Sequence, residues 1–321
     1  GVRSNKMRRY LPEQFNKEDQ SLHKIGKLKQ ALTDGEILEA KVIKCTKDLE
    51  LVVSFGYGLT GTIPFEEFEF SISGKPTRNS AVLSKVGRCV CFKVKGIVKD
   101  KKTGQFDIKL SRKAAQEECY NEYISKLQPG DIIDAKTTYI EDYGAFCDIG
   151  CGITALLPID NVCVAHVPKL KTYMKYASKL KVVVKKIEGW RITLTHRELL
   201  GTFEEEVAHY SVGDTAEGVV RNVESYGVFI QLRPNLVCLA EPREGVKCDD
   251  VVSVYIRYIN HDKMKVKANI VGINNDAKLD THFEYHIPEC GYLEKWKYSP
   301  EKSEKIVETV FNRSKPESVA E

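Results

Sequence analysis

The sequence predicts a mostly β protein: three tandem five-stranded closed barrels joined by short α-helices, with an N-terminal helix and a partly irregular C-terminal tail. Three observations predict it. A segment recurs as DLELVVSFGYGLTGTIP at 48–64, DYGAFCDIGCGITALLP at 142–158 and SYGVFIQLRPNLVCLAE at 225–241. The first two align without a gap, so that Asp48 meets Asp142, Gly56 meets Gly150, Gly58 meets Gly152, Thr60 meets Thr154 and Pro64 meets Pro158. Around each copy apolar and polar residues alternate, as Val90, Phe92 and Val94 do against Cys91, Lys93 and Lys95, which is the period of half-buried strands. Five such runs in about 70 residues, with no βαβ crossover, suit a small closed barrel of the OB type, whose closure removes exposed sheet edges.

In chain order, 1–34 reads as an arm and a helix. GVRSNKMRRYLPEQFNKE is polar and basic and reads as an extended arm. Leu22, Ile25, Leu28 and Leu32 then recur at helical spacing, and Asp34-Gly35 ends the helix. Barrel 1 is expected over 35–113, with strands near 36–46, 49–55, 59–64, 89–99 and 105–111, and an insertion at 68–87 holding a turn at Gly74-Lys75-Pro76 and a short helix. A helical linker at 114–129 precedes barrel 2 at 130–197, and a second linker at 198–211 precedes barrel 3 at 212–273. The helical patterns at 112–127 and 197–210 each run into a Gly-Asp turn and read as rigid spacers. In the tail, 274–321, SPEKSEKIVETVF at 299–311 reads as a terminal helix capped by Ser299 with Pro300 at its first position.

Composition narrows the function classes. The net charge of +4 is compatible with an anionic partner, and its distribution matters more: Lys and Arg against Asp and Glu stand at 14 to 9 over 35–112, 10 to 7 over 130–197 and 8 to 8 over 212–273. Ten cysteines, most inside apolar runs, do not form a secreted disulfide framework, so a cytoplasmic location is expected. No apolar stretch approaches membrane-spanning length and no leader pattern is present, so neither a span nor a signal peptide is expected. No GxxxxGK[ST], GxSxG or HExxH motif occurs, and no residue stands out as a nucleophile. Cys163 with His166, and Cys89 with Cys91, lack a second pair at metal spacing and read as packing residues. Neither a cofactor, a metal nor a small-molecule substrate is expected. Glu204–Glu206 read as a helix surface.

GDIIDAKTTYIEDYGAFCDIG with RITLTHREL in the second copy, GDTAEGVVRNVESYGVFIQL in the third, and GLTGTIP with DIKLSRKAA in the first resemble the S-one RNA-binding domain family across roughly 35–272. That family includes the ribosomal S-one proteins of the bacterial small subunit and their shorter homologues in Gram-positive anaerobes. The resemblance implies a barrel face carrying two aromatics from the first hairpin, a residue ending the third strand, and an acid and an arginine near the last turn. In barrel 2 these fall on Tyr143, Phe146, Pro158, Glu188 and Arg191, with Pro158 where the family commonly has histidine. Bases would stack on the two rings, Gly144 would supply the kink that brings them onto one face, Arg191 with Lys185 or Lys186 would meet phosphates or stack on a base, and Trp190 would extend the platform. Barrel 3 keeps Tyr226 and Phe229, has Glu241 in place of the histidine, and offers Lys263, Lys265 and Lys267 in place of the arginine motif. Barrel 1 has Leu49 and Val52 where the aromatics belong, and a surface of Lys93, Lys95, Lys99, Lys101, Lys102, Lys109, Arg112 and Lys113.

The resemblance thus implies a non-catalytic protein that binds single-stranded RNA, messenger RNA among others, through tandem barrels, in association with the small ribosomal subunit or translation. An alternative is a scaffold docking on a ribosome or polymerase in which the middle barrel alone touches RNA. A third reading, an enzyme or enzyme fragment, has no motif behind it.

Overall fold

A computed structural model describes residues 10–15, 19–274 and 283–313. Its contacts divide the chain into two compact units, one comprising the residues up to Leu127 with 134–136 and 148–154, the other the remainder.

The first unit is built around barrel 1. Strands β1 (Ile37–Cys45), β2 (Leu51–Gly56), β3 (Leu59–Ile63), β4 (Cys89–Lys99) and β5 (Phe106–Ser111) close in the order β1-β2-β3-β5-β4. All pairs are antiparallel except β3 with β5, which run parallel through Thr62 opposite Lys109. Alternation fills the interior with Val42, Leu51, Val53, Ile63, Phe92, Ile108 and Leu110. Helix α1 (Ile25–Asp34) ends at Gly35, whose φ of 65° gives the left-handed cap. Its inward face is Leu28 and Ala31, while the expected Leu32 points outward, so the buried stripe lies one residue from the sequence reading. The insertion carries a turn with Gly74 at φ 69° and α2 (Asn79–Leu83). Helix α3 (Arg112–Glu122) starts where the Ser111 hydroxyl accepts from the Ala114 amide.

The expected extended arm is corrected where it is described. Tyr10, Pro12 and Glu13 are buried. Arg112 Nε donates to Glu13 Oε1 at 2.7 Å and Lys85 Nζ to Glu13 Oε2 at 2.8 Å, while the Glu13 amide donates to Asp148 Oδ2 at 2.7 Å. Arg112, 2% exposed, therefore belongs to the interior and not to the basic surface, its buried charge compensated by that carboxylate. Burial opposes ionisation of Glu13, but Arg112 and Lys85 outweigh it and hold its carboxyl below the usual range. Burial drives Asp148 the other way, and pushes neighbouring Glu39 up to about 7.

Barrel 2 closes as β10-β8-β7-β6-β9 from β6 (Ile132–Glu141), β7 (Gly144–Gly150), β8 (Ile153–Pro158), β9 (Lys179–Glu188) and β10 (Arg191–Thr195), with α4 (Leu170–Tyr173) before β9. The second unit continues through barrel 3, closed as β11-β12-β13-β15-β14 from β11 (Thr215–Glu224), β12 (Gly227–Arg233), β13 (Leu236–Ala240), β14 (Val251–Asn260) and β15 (Lys265–Ile273). The spacer expected as one helix at 197–210 is two pieces. A 3-10 turn at Arg197–Leu199 stops at Gly201 (φ 92°), and α5 (Phe203–Val207) restarts from a capping box between Thr202 and Glu205. Nor do the three acids all face solvent: Glu206 is buried and accepts from Arg233 Nε at 3.1 Å.

The tail corrects the last helix expectation. Residues 299–311 are not helical: β16 (Lys295–Lys297) pairs antiparallel with β17 (Glu308–Val310), and Ser299 closes the intervening loop by accepting from the Val307 amide at 2.7 Å. The Ser-Pro start served a loop because Ser299 bonds across it rather than along a helix. Trp296 and Tyr298 join the core of barrel 3, and Phe311 packs with Ile132 and Val183 of barrel 2 and with Leu199 of the turn that follows it. Asn235 ties these pieces together, accepting from the Val164 amide and donating to the carbonyls of Arg197 and Gly201, while its own carbonyl accepts from Tyr298 Oη at 2.5 Å.

Candidate nucleic-acid interface

Each aromatic pair is set by one tight strand contact. At the start of β7, a Cβ on Gly144 would lie 2.7 Å from the Leu157 carbonyl oxygen and 3.0 Å from Pro158 Cα. At the start of β12, a Cβ on Gly227 would lie 2.9 Å from the Ala240 carbonyl oxygen. Neither glycine has a positive φ, so its role is close approach of two backbones and not the kink the sequence suggested. The two strands of the hairpin thereby approach closely, and the aromatic two residues after the glycine falls on the less buried phase of its strand, between buried neighbours.

The two pairs have nearly the same geometry. Tyr143 and Phe146 stand edge to face with ring centroids 6.3 Å apart at 89°, and Tyr226 and Phe229 at 6.1 Å and 88°. Tyr143 is 58% exposed and Tyr226 67%, whereas the phenylalanines are half-buried. A T-shaped pair is a preferred aromatic arrangement, and the exposure of each tyrosine leaves ring surface accessible for stacking.

On barrel 2 a third ring, Tyr139 on β6, lies 6.4 Å from Phe146 and is itself exposed. Thr193 on β10 is opposite both Leu156 of β8 and Lys186 of β9, which carries the outer face across three strands. Lys186 and Glu188 are exposed and ion-paired at 2.6 Å. Trp190 is exposed in the turn at Gly189, with the Arg191 guanidinium 5.2 Å from its ring centroid. Pro158 ends β8, half-buried. Lys185 is partly committed within the fold: its ammonium donates to Asn161 Oδ1 at 2.7 Å, in the loop after β8, and burial lowers its pKa.

On barrel 3 the outer face forms an unbroken row. Phe229 is opposite Leu239, Leu239 opposite Lys267, and Lys267 opposite Tyr258. Tyr258 is exposed and lines, with Tyr226, Leu239, Glu241, Arg257 and Asn269, a groove of 420 Å³. Lys263 and Lys265 are exposed toward the β14–β15 turn, and Lys267 alone of the three stands in the row.

Barrel 1 presents a different row: Val52, Thr62, Lys109 and Gly96. Val52 is buried, and Leu49, at φ 62°, packs on the core. Lys95, Lys99, Lys101, Lys102, Lys109 and Lys113 are exposed, whereas Lys93 is ion-paired with Glu118. An aromatic does emerge here: Tyr57, 94% exposed in the β2–β3 turn, has His23 edge-on at 5.0 Å.

Sequence reasoning missed Tyr139, Tyr258 and Tyr57. Simple alternation hid the first two, since Tyr139 shares its parity with buried Ile133, Ala135 and Thr137, and Tyr258 with buried Val252, Val254 and Ile256, a register shift between Ile256 and Tyr258 interrupting the alternation. Tyr57 lies between Gly56 and Gly58 in a turn, outside any period. Cys163 is buried and donates to the Ala165 carbonyl at 3.3 Å, and among the described residues no group of three or more metal-ligating side chains converges.

Residues 126–196, covering barrel 2, match the S1 RNA binding domain. The chain is homologous to the small ribosomal subunit protein bS1 of Staphylococcus aureus (strain COL), with 28% identity over 261 residues, 76% of this chain and 63% of the relative. It is 27% identical over 179 residues to that of Staphylococcus saprophyticus, covering 50% of this chain and 45% of the relative. It therefore spans less than two thirds of the length of these relatives. Among solved structures, a multidomain protein with nucleic acid binding domains from Streptococcus pneumoniae aligns over 76% of this chain and 75% of its own, with a TM-score of 0.25 and 14% identity.

Proposed function

We propose that this chain is a non-catalytic, single-stranded RNA-binding protein that acts in the cytoplasm with the translation machinery. The observation that carries the reading is the repeated edge-to-face pair, Tyr143 with Phe146 and Tyr226 with Phe229, exposed on two barrels of one chain. Any base has a face that stacks on such a ring, and each stack contributes about 1–3 kcal/mol. Arg191 and Lys186 on barrel 2 and Lys267 on barrel 3 supply the charge that meets phosphate, a salt-dependent contribution blind to sequence. Barrel 1 adds exposed lysines without a paired platform, which suits a backbone or docking contact. The working units in this reading are 35–113, 130–197 and 212–273, joined by 114–129 and 198–211. Similarity to the small ribosomal subunit protein bS1 supports the small ribosomal subunit as a partner, and messenger RNA is the single-stranded RNA this reading assigns to it.

The test is titration of labelled single-stranded RNA at several salt concentrations, with sedimentation against small ribosomal subunits. Binding with a steep salt slope and co-sedimentation are expected. Cleavage of the RNA by purified protein would overturn the non-catalytic reading, and binding that survives loss of both aromatic pairs would replace stacking with a purely electrostatic surface.

A further inference from the structure

We infer that the groove beside Tyr226 on barrel 3 is a guanine-selective base site, with Glu241 as its specificity-determining residue. This rests on the single-stranded RNA reading and adds a base preference to it. The groove brings aromatic and hydrogen-bonding groups together: Tyr226 and Tyr258 line it with Leu239 and Lys267, which pair across the strands, and with Glu241, Arg257 and Asn269, of which Glu241 and Arg257 are exposed and form its solvent-facing rim.

The rim chemistry selects among bases. Arg257 Nη1 donates to Asn269 Oδ1 at 3.5 Å and lies 3.7 Å from Glu241 Oε1, too far to occupy that oxygen with a hydrogen bond. Glu241, 81% exposed, keeps both carboxylate oxygens as open acceptors, while the nearby guanidinium offsets its repulsion of a phosphate chain. Two adjacent acceptors require two adjacent donors, and single-stranded bases are read on this edge. Only guanine offers them, at N1–H and the 2-amino group. Adenine and cytosine each place a donor beside an acceptor, and uracil sets one donor between two carbonyl oxygens that would face the carboxylate. Barrel 2 has Pro158 at the aligned position, which offers no side-chain hydrogen bond. Selectivity is therefore confined to barrel 3, while barrel 2 tolerates any base.

The experiment uses the full chain and fluorescence anisotropy with labelled uridine decamers, unmodified or carrying guanosine, inosine or adenosine at internal positions. A bidentate pair at a partly solvated rim predicts about 10-fold tighter binding of the guanosine strand than of the all-uridine strand. Inosine, which lacks the 2-amino group, falls between them. Glu241→Gln, which replaces one acceptor by a donor, brings the guanosine-to-uridine ratio close to one. Equal affinities for the guanosine, adenosine and uridine strands, or a ratio that persists in Glu241→Gln, overturn the inference while leaving RNA binding intact. Failure to bind every strand overturns the RNA reading and this inference with it. Should Glu241→Gln not fold, the inosine series on the unaltered chain decides.

Discussion

Gly144 lies so close to strand β8 that a Cβ on it would come within 2.7 Å of the Leu157 carbonyl oxygen. A backbone atom cannot yield as the end of a flexible side chain would, so the aromatic pair on barrel 2 depends on the absence of a single methyl. Gly144→Ala is expected to destabilise the protein by about 1–3 kcal/mol through overpacking, and to weaken RNA binding by lifting Tyr143 off Phe146. Urea unfolding alongside RNA titration checks both, and loss of stability with unaltered affinity would separate the glycine from the site.

Removing the rings themselves tests the platform. Tyr143→Ala with Phe146→Ala is expected to weaken binding of a short single-stranded RNA by at least 10-fold, two stacks at about 1–3 kcal/mol each, with little effect on the salt slope. The slope stays because neither ring carries charge. Lys186→Ala with Arg191→Ala reverses the pattern, flattening the salt dependence by about 1.4 units of slope, roughly 0.7 for each cation on a single strand.

His196 makes the second unit sensitive to acid. Its Nδ1 donates to the Val162 carbonyl at 2.9 Å, which leaves Nε2 to accept from Tyr285 Oη at 3.1 Å, and Phe283 stands edge-on at 4.7 Å. Burial lowers its pKa from 6.5 to about 4. The folded state holds the neutral ring while the unfolded chain takes a proton first, so stability is full above pH 6.5 and falls as the pH drops toward 4. The ceiling on that loss is about 3 kcal/mol. The raised carboxyls of Glu39 and Asp148 in the first unit act in the opposite direction over this window. The decline is therefore read as the difference between the wild type and His196→Asn in thermal melts between pH 7 and pH 4, the variant losing less on acidification even though it starts from lower stability.

Breaking the pair between Arg112 and Glu13 is expected to be costly. Arg112→Met leaves the Glu13 carboxylate buried with Lys85 as its remaining cationic partner, a change of about 3 kcal/mol or more, whereas replacing both residues by apolar ones recovers part of the loss. Chemical denaturation of the two single variants and the double variant measures the coupling.

How much of this was legible in the sequence depended on the range of the interactions. The barrel strands were readable because alternation writes burial directly into consecutive residues, and β4 runs over the expected 89–99. The aromatic pairs were readable because both members fall within one hairpin. Glu13 was not, since its partners Arg112 and Asp148 are distant in sequence and a glutamate in a basic stretch gives no hint of burial. Strands β16 and β17, three residues each, are too short to show a period, and their pairing is settled by Trp296 and Phe311 finding cores built much earlier in the chain. Tyr258 needed register: only the pairing of Lys267 with both Leu239 and Tyr258 reveals that it shares a face with Phe229.

The seating of Phe311 among Ile132, Val183 and Leu199 also fixes an order of events during synthesis. A chain emerging at about 5–20 residues per second presents Ile132 on the order of ten to thirty seconds before its partner arrives. For that interval barrel 2 has an uncovered apolar patch, and the second unit cannot reach its final cooperativity until nearly the last described residue has been translated. The first unit, whose contacts are complete by Thr154, carries no such delay.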